Sequence, residues 1–438
     1  MSGMLSRRLR RPPLLLLLAI ALIASIAVVT VADSSRSRTG PVAIATIEEP
    51  LAADIERQRE RLNRLPGNAT GWANLGAAYV ELARVTGDPE HFGRAQQALD
   101  RSIELRPDDN AEALIGLGVL ANALHEFSAA RGYAEQALAL RPDNADTYGV
   151  LADALTQLGD AAAATAAVQR MLDLRPGVAS FTRAAYDLEL HGRVDEARDA
   201  LSMALAAAHT TEQIAFCRYH LGALAFDAGQ LDVAESHYQA GLLAAPEHLA
   251  LRQGMAQLYA ARSDIDTAVA QYRALTDRAP LPGYLIEFGE LLQAAGRFDE
   301  AAAEYQAVAD QIRELEAQGA TENVDAALLA ADHGDPAEAV RMAQLEFGRR
   351  QSVITADVLA WSLHKAGRDT EALIYADRAG ALGWRNATLG YHRGMILAAL
   401  GRTEEAAAAL ADALRINPYF SPLHAPIAQR TLDMLGAR

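Results

Sequence analysis

At 438 residues the chain is long enough for two or three ordinary domains, or for one extended repeat array whose core grows along an axis. Alanine and leucine dominate and aromatic residues make up only 6%. Such a composition suits many helices with small residues at close crossings, and the scarcity of Val, Ile and Thr runs predicts an all-α fold. The formal net charge is −16, and residues 1–38 hold six arginines against Asp33, so the remainder is more acidic still. Lys365 is the only lysine. A phosphate backbone must be neutralised by clustered Lys and Arg, so nucleic acid is excluded as the expected partner. Cys217 stands alone, which rules out an intramolecular disulfide and any multi-cysteine metal site.

In chain order, residues 1–13 form a basic segment with Arg7, Arg8, Arg10 and Arg11, expected in the cytoplasm. Residues 14–32 are uncharged and begin LLLLLAIALIASIAVV. At about 1.5 Å per residue they would just cross a hydrocarbon core of roughly 30 Å, so one N-terminal hydrophobic helix is expected as a membrane anchor. A cleavable signal peptide ending at Ala32 is the alternative. Either version places the body outside the cytoplasm. Residues 33–50 show no helical period and read as a linker. Residues 51–66, with the charged stretch IERQRERLNRL, suit a lone capping helix.

From residue 67 to residue 418 the chain repeats. Prolines recur after an L/I-R-P-like helix end at Pro107, Pro142 and Pro176, then at Pro246, Pro280 and Pro418, spaced by about 34 residues where consecutive. Within these intervals come Trp72, Leu75, Gly76 and Tyr79, then Leu114, Leu117, Gly118, Ala130 and Ala137, then Tyr148, Leu151, Ala152 and Ala164. Later units carry Phe181, Ala185 and Ala197; Leu221, Gly222, Ala234 and Tyr238; Ala256, Tyr259, Ala268 and Tyr272; and Phe288, Gly289, Ala301 and Tyr305. The last three are marked by Gly334 and Ala339, by Leu359, Ala360 and Ala372, and by Gly394, Ala406 and Ala413. Gly159, Gly192, Gly229, Gly296, Gly334, Gly367 and Gly401 are expected to end the first helix of each pair in a left-handed conformation. After Pro418, residues 419–438 contain Pro422 and Pro426, so a loop and a short closing helix from about Ile427 to Leu435 should cap the array.

This pattern resembles the tetratricopeptide repeat family, with ten matches in register. The resemblance implies a right-handed superhelical solenoid of about ten helix pairs, in which the first helix of each pair lines a concave groove. Transferred to this chain, the inward positions include Glu112, Asp146, Asp153, Tyr186, Glu189, Phe216, Tyr219, Phe226, Glu290, Asp357, Trp361 and Tyr391. The family's clamp for a terminal carboxylate uses Lys, Arg and Asn, whereas the corresponding places here hold Thr70 with Asn74, Glu112 with Gly116, and Asp146 with Val150. Aromatics with acids suit an extended protein or peptide carrying basic and apolar side chains. The same aromatics would serve equally to pack one first helix on the next, and the acids to solvate the surface.

No H-E-x-x-H, phosphate-binding glycine loop or G-x-S-x-G occurs, and Gly116-Leu117-Gly118 falls inside a repeat helix. No catalytic set and no cofactor are expected. The predicted function is an extracytoplasmic protein-interaction scaffold that assists assembly of an envelope complex. The alternative is a small-ligand or metal sensor using His220 and His237 of the fifth unit.

Overall fold

The computed structural model describes residues 48–86, 88–317 and 324–436, and these contain twenty-two α-helices and no strand. A single helix, α1 (Glu48–Arg64), precedes ten helical hairpins. The first five are α2 (Ala69–Thr86) with α3 (Glu90–Leu105), α4 (Ala111–Ala123) with α5 (Phe127–Leu140), α6 (Ala145–Leu158) with α7 (Ala161–Leu174), α8 (Val178–Leu190) with α9 (Val194–Ala206), and α10 (Thr211–Asp227) with α11 (Leu231–Ala244). Next come α12 (Leu249–Ala261) with α13 (Ile265–Arg278), α14 (Pro282–Ala294) with α15 (Phe298–Ala317), and α16 (Val324–His333) with α17 (Pro336–Arg349). The array ends with α18 (Val353–Lys365) and α19 (Asp369–Ala379), α20 (Ala387–Ala399) and α21 (Thr403–Ile416), and a closing helix α22 (His424–Gly436).

The expectation of a solenoid preceded by a hydrophobic spanning helix is corrected to the solenoid alone. Among the described residues no helix is long and apolar enough to cross a membrane, and the segment 14–32 assigned to the anchor lies outside them.

Local sequence explains the helix ends. Asn110, Asn144, Asp160, Asp264, Ser352 and Asn386 each accept a hydrogen bond from a backbone N–H of the helix that follows. Each satisfies a donor that the helix itself cannot. Gly159, Gly192, Gly229, Gly296, Gly367 and Gly401 take φ between 70° and 79° at the turn inside a pair. His125 and Ser263 fill that turn in the second and sixth pairs at φ 58° and 62°, and Gly334 is not left-handed, because Asp335 caps α17 directly after it.

Close nesting is built on glycine. The Tyr238 ring of α11 lies between Gly222 of α10 and Gly254 of α12, where an added Cβ would sit 2.5 Å from ring atoms on either side. Leu99 of α3 occupies the same place between Gly76 of α2 and Gly116 of α4. In these two second helices one bulky residue thus fills the hole left by two small ones, on its own partner and on the next pair. Tyr305 over Gly289 and Leu410 over Gly394 repeat the first half of this arrangement.

First helices touch first helices of the next pair (α2 on α4, α4 on α6, α16 on α18, α18 on α20), so they lie on the inside of the curve. The curve comes round on itself. Arg350 Nη1 donates to Gln157 Oε1 at 3.3 Å and Trp384 Nε1 donates to Glu189 Oε1 at 3.3 Å, across 193 and 195 residues. A Cβ at Gly159 would run into the carbonyl oxygen of Gln351, one at Gly192 into that of Gly383, and one at Gly229 would come 3.3 Å from that of Ile416. The turns of pairs three, four and five therefore abut the loops that follow pairs eight, nine and ten. Ser421 adds a bond to Glu290 Oε2 at 3.2 Å.

Candidate binding interior

The acids named from the sequence fall into two groups. Glu112 is bonded by Arg106 at 2.9 Å and by Arg141, and Asp146 by Arg175. These arginines sit just before the unit-closing prolines; Arg106 ties the first pair to the second, while Arg141 and Arg175 tie the end of a second helix back to the first helix of its own pair. Asp153 receives both Nε and Nη2 of Arg183 at 2.8 and 2.7 Å, with both side chains buried. Asp357 accepts from His392 Nδ1 at 2.9 Å, also in the core. All four have hydrogen-bonding partners within the protein.

Glu189 and Glu290 differ. With Asp227, Glu287 and Asp325 they lie on α8, α14, α10 and α16, and none of the five forms an ion pair among the described residues. Burial holds Glu189 protonated up to about 7, helped by Asp227 and opposed by the Trp384 indole N–H. Burial likewise raises Asp227 to about 6, and Asp325 to about 6 against the pull of Arg350. Glu290 rises to about 8 through burial, then through Asp332 and Glu287, with Ser421 acting the other way. Glu287 is raised by burial although Gln253, Tyr272 and Gln257 donate to it. These side chains keep some exposure, and Asp227 is largely exposed, yet protein surrounds them. The helices packed around them, rather than complete loss of solvent contact, are what raise these carboxylates.

Among the aromatics named from the sequence, Tyr186 and Tyr219 stand half-buried beside these acids, and the nearby carboxylates raise both hydroxyls further. Phe216 is half-buried and meets His220 edge-on at 4.3 Å. Phe226, Trp361 and Tyr391 are in the core, at 7%, 2% and 2% exposure, so they pack helices and offer no surface. Trp361 donates to both oxygens of Asp332 at 3.0 and 3.1 Å and stacks on His392 at 4.1 Å. His220 packs against Phe216 and Tyr219, while His237 Nδ1 lies 3.1 Å from Arg218, so the fifth-unit histidines serve separate surroundings. Among the described residues no group of three or more His, Cys, Asp or Glu side chains is arranged to hold a metal ion.

Sequence reasoning missed Asp227, Glu287, Asp325, Asp332 and Trp384. The first four sit on first helices of the repeat and were open to the same register argument. Trp384 had no local signal, since its partner is five pairs earlier.

The fold is an all-α solenoid of stacked helical pairs, and two stretches of it match a known repeat. Residues 121–179 and 390–420 match the tetratricopeptide repeat family. No curated protein sequence matches. Solved structures that resemble the chain include a thermophilic TPR protein of Thermus thermophilus, at 24% identity over 42% of this chain and 95% of that one, with TM-score 0.37. Pseudomonas aeruginosa pilF matches at 18% identity over 46% and 91%, with TM-score 0.39. The human IFIT1 dimer with m7Gppp-AAAA matches at 17% identity over 76% and 77%, with TM-score 0.48. These likenesses concern the fold alone. Repeats of this family serve in general as protein-interaction scaffolds.

Proposed function

We propose that this chain is an interaction scaffold whose interior takes an extended segment of a partner protein bearing basic and apolar side chains. The observation that carries the reading is the contrast between paired and unpaired acids. Glu112, Asp146 and Asp153 have arginine partners and Asp357 a histidine, whereas Glu189, Asp227, Glu287, Glu290 and Asp325 form no ion pair among the described residues. A guanidinium or ammonium brought among them would supply the missing charge, and Tyr186, Phe216 and Tyr219 would bury the apolar part. Because the acids hold protons near neutral pH, cation binding releases protons and should tighten as pH rises from about 6 to 8.

Calorimetric titration of the full chain tests this, with a peptide alternating Arg and Leu against one of equal length alternating Glu and Leu. The Arg peptide is expected to bind, more weakly at high salt, and to release protons. Equal binding of both peptides, or of neither, would remove the reading. We further infer that the array works outside the cytoplasm; the uncharged stretch 14–32 behind four arginines supports this. A C-terminal reporter fusion that is active only after export checks it, and an inactive fusion counts against it.

A further inference from the structure

The array begins with half a pair. Helix α1 runs antiparallel to α2: Leu62 near its end lies against Gly71 near the start of α2, while Leu51 joins the cluster that holds Tyr79, Val80 and Leu82. It packs on α2 as second helices elsewhere pack on the first helix of the next pair, yet among the described residues no first helix precedes it. The chain therefore reaches Glu48 where a first helix would end, on the inner side of the curve. The end of α2 is level with that point, and there Glu81 and Arg84 lie close enough to Glu212 of α10 to act on its charge. From Glu212 the stripe Phe216, Tyr219, Ala223 and Asp227 recurs at helical spacing and runs inward for about 22 Å at 1.5 Å per residue. A seam where pairs three to five meet pairs eight to ten narrows the flank of this interior, so an extended segment enters it from an end of the array.

The residues ahead of Glu48 carry the chemistry that this interior lacks. Arg36 and Arg38 are followed by Pro41, Val42, Ile44 and Ile47, with no acid from Ser34 to Ile47. Read inward from Glu48 the segment is apolar first and cationic last, and α10 read inward from Glu212 is aromatic first and acidic last. The lengths agree as well, because the ten residues from Arg38 to Glu48 span up to roughly 33 Å when extended, more than the stripe requires. Cations that border the interior are already engaged, Arg350 on Glu346 at 2.5 Å and Lys365 on Asp332 at 3.3 Å.

We propose that residues 36–47 are the resident occupant of the interior: they thread back along α10, set Arg36 and Arg38 beside Asp227 and Glu189, and lay their apolar half against Phe216 and Tyr219. The inference rests on the reading of the interior as a groove for basic and apolar segments, and it names the segment that a partner must displace. An incoming segment competes with an intramolecular one whose effective concentration is on the order of millimolar. The array is thus self-inhibited, and only a partner with more cations or more apolar surface than residues 36–47 opens it.

The test uses the full chain with Ser37→Cys and a bulky maleimide-polyethylene glycol as thiol reagent; Cys217 is fully buried and stays silent. Alkylation should be several-fold slower than in the same chain carrying Glu189→Gln with Asp227→Asn, and salt should speed the first and not the second. Glu404→Gln with Asp299→Asn, two exposed acids of second helices, should leave the slow rate as it is. Under mild oxidation Ser37→Cys with Ala223→Cys should form a disulfide, and Arg36→Gln with Arg38→Gln should abolish it. Circular dichroism checks that the helices persist in every variant. Equal alkylation with and without the interior substitutions overturns the proposal, as does a disulfide forming no faster than that of Ser37→Cys with Leu345→Cys, exposed on α17. Calorimetry with the Arg-Leu peptide separates this inference from the reading beneath it. Tighter binding in Arg36→Gln with Arg38→Gln than in the wild type supports the occupant, and identical binding in both overturns it while the groove stands. A protected Ser37 with no peptide bound by either chain keeps the occupant and removes the partner reading.

Discussion

Gly222→Ala puts a single methyl where the Tyr238 ring already rests, and the outcome can be worked from the surroundings. In a helix interior the exchange alone favours alanine by about 1 kcal/mol. At Gly222 the new Cβ would lie 2.5 Å from the Tyr238 Cδ1 atom, and the ring cannot retreat, because its other face is held by Gly254, where an added Cβ would lie 2.5 Å from Cζ. Overpacking of that kind costs about 1–3 kcal/mol, and with both faces blocked the upper end applies. The net result is a loss of about 2 kcal/mol. Gly132 of α5 is the control, since nothing lies within 4 Å of an added Cβ there, so Gly132→Ala should gain about 1 kcal/mol. Urea unfolding ranks the two variants. Hydrogen exchange should place the Gly222→Ala loss in α10, α11 and α12, because each pair of a solenoid is supported by its neighbours. Tyr238→Leu in the Gly222→Ala background should recover part of the loss. If Gly222→Ala stabilises the protein as much as Gly132→Ala does, small-residue nesting is not what joins the fifth and sixth pairs.

Other positions give equally direct expectations. Arg183→Met strips the buried Asp153 carboxylate of its bidentate guanidinium and should cost about 3–5 kcal/mol in urea unfolding, while Arg183→Met with Asp153→Leu should recover most of it. Ser263 is exposed and holds φ 62°, so Ser263→Gly should raise stability by up to about 1 kcal/mol, seen as a higher urea midpoint. Because Glu189 and Glu290 hold their protons to about 7 and 8 when folded, stability should fall as pH rises from 5 to 8.5. Thermal melts of Glu290→Gln should show a flatter fall over that range and no gain at pH 4.5.

The repeat was legible because its determinants are local. Pro107, Pro142 and Pro176 end second helices, Gly159 and Gly367 close turns, and Gly222 recurs where Tyr238 needs room. Gly334 shows the limit of that reading, since an Asp cap did the work there and no left-handed residue was needed. Along the groove, sequence register could identify first-helix positions but not separate Glu112, tied by two arginines, from Glu189, tied by none. That distinction depends on where long arginine side chains reach from the ends of the second helices of the same and the preceding pair. The seam was invisible for a stronger reason. Contacts such as Trp384 with Glu189 depend on the rotation accumulated over several pairs, which no single interval of sequence encodes. The core positions of Trp361 and Tyr391 likewise follow from α22 and the loop carrying Phe420 folding over them.

The claim underlying the interior is that the array winds far enough for its third to fifth pairs to meet its eighth to tenth. Small-angle X-ray scattering of the full chain at pH 5 addresses that directly. The curve should match the closed winding, with a pair-distance distribution that falls off without a long tail. A distribution drawn out into the extended tail of an open, rod-like array at that pH would contradict it.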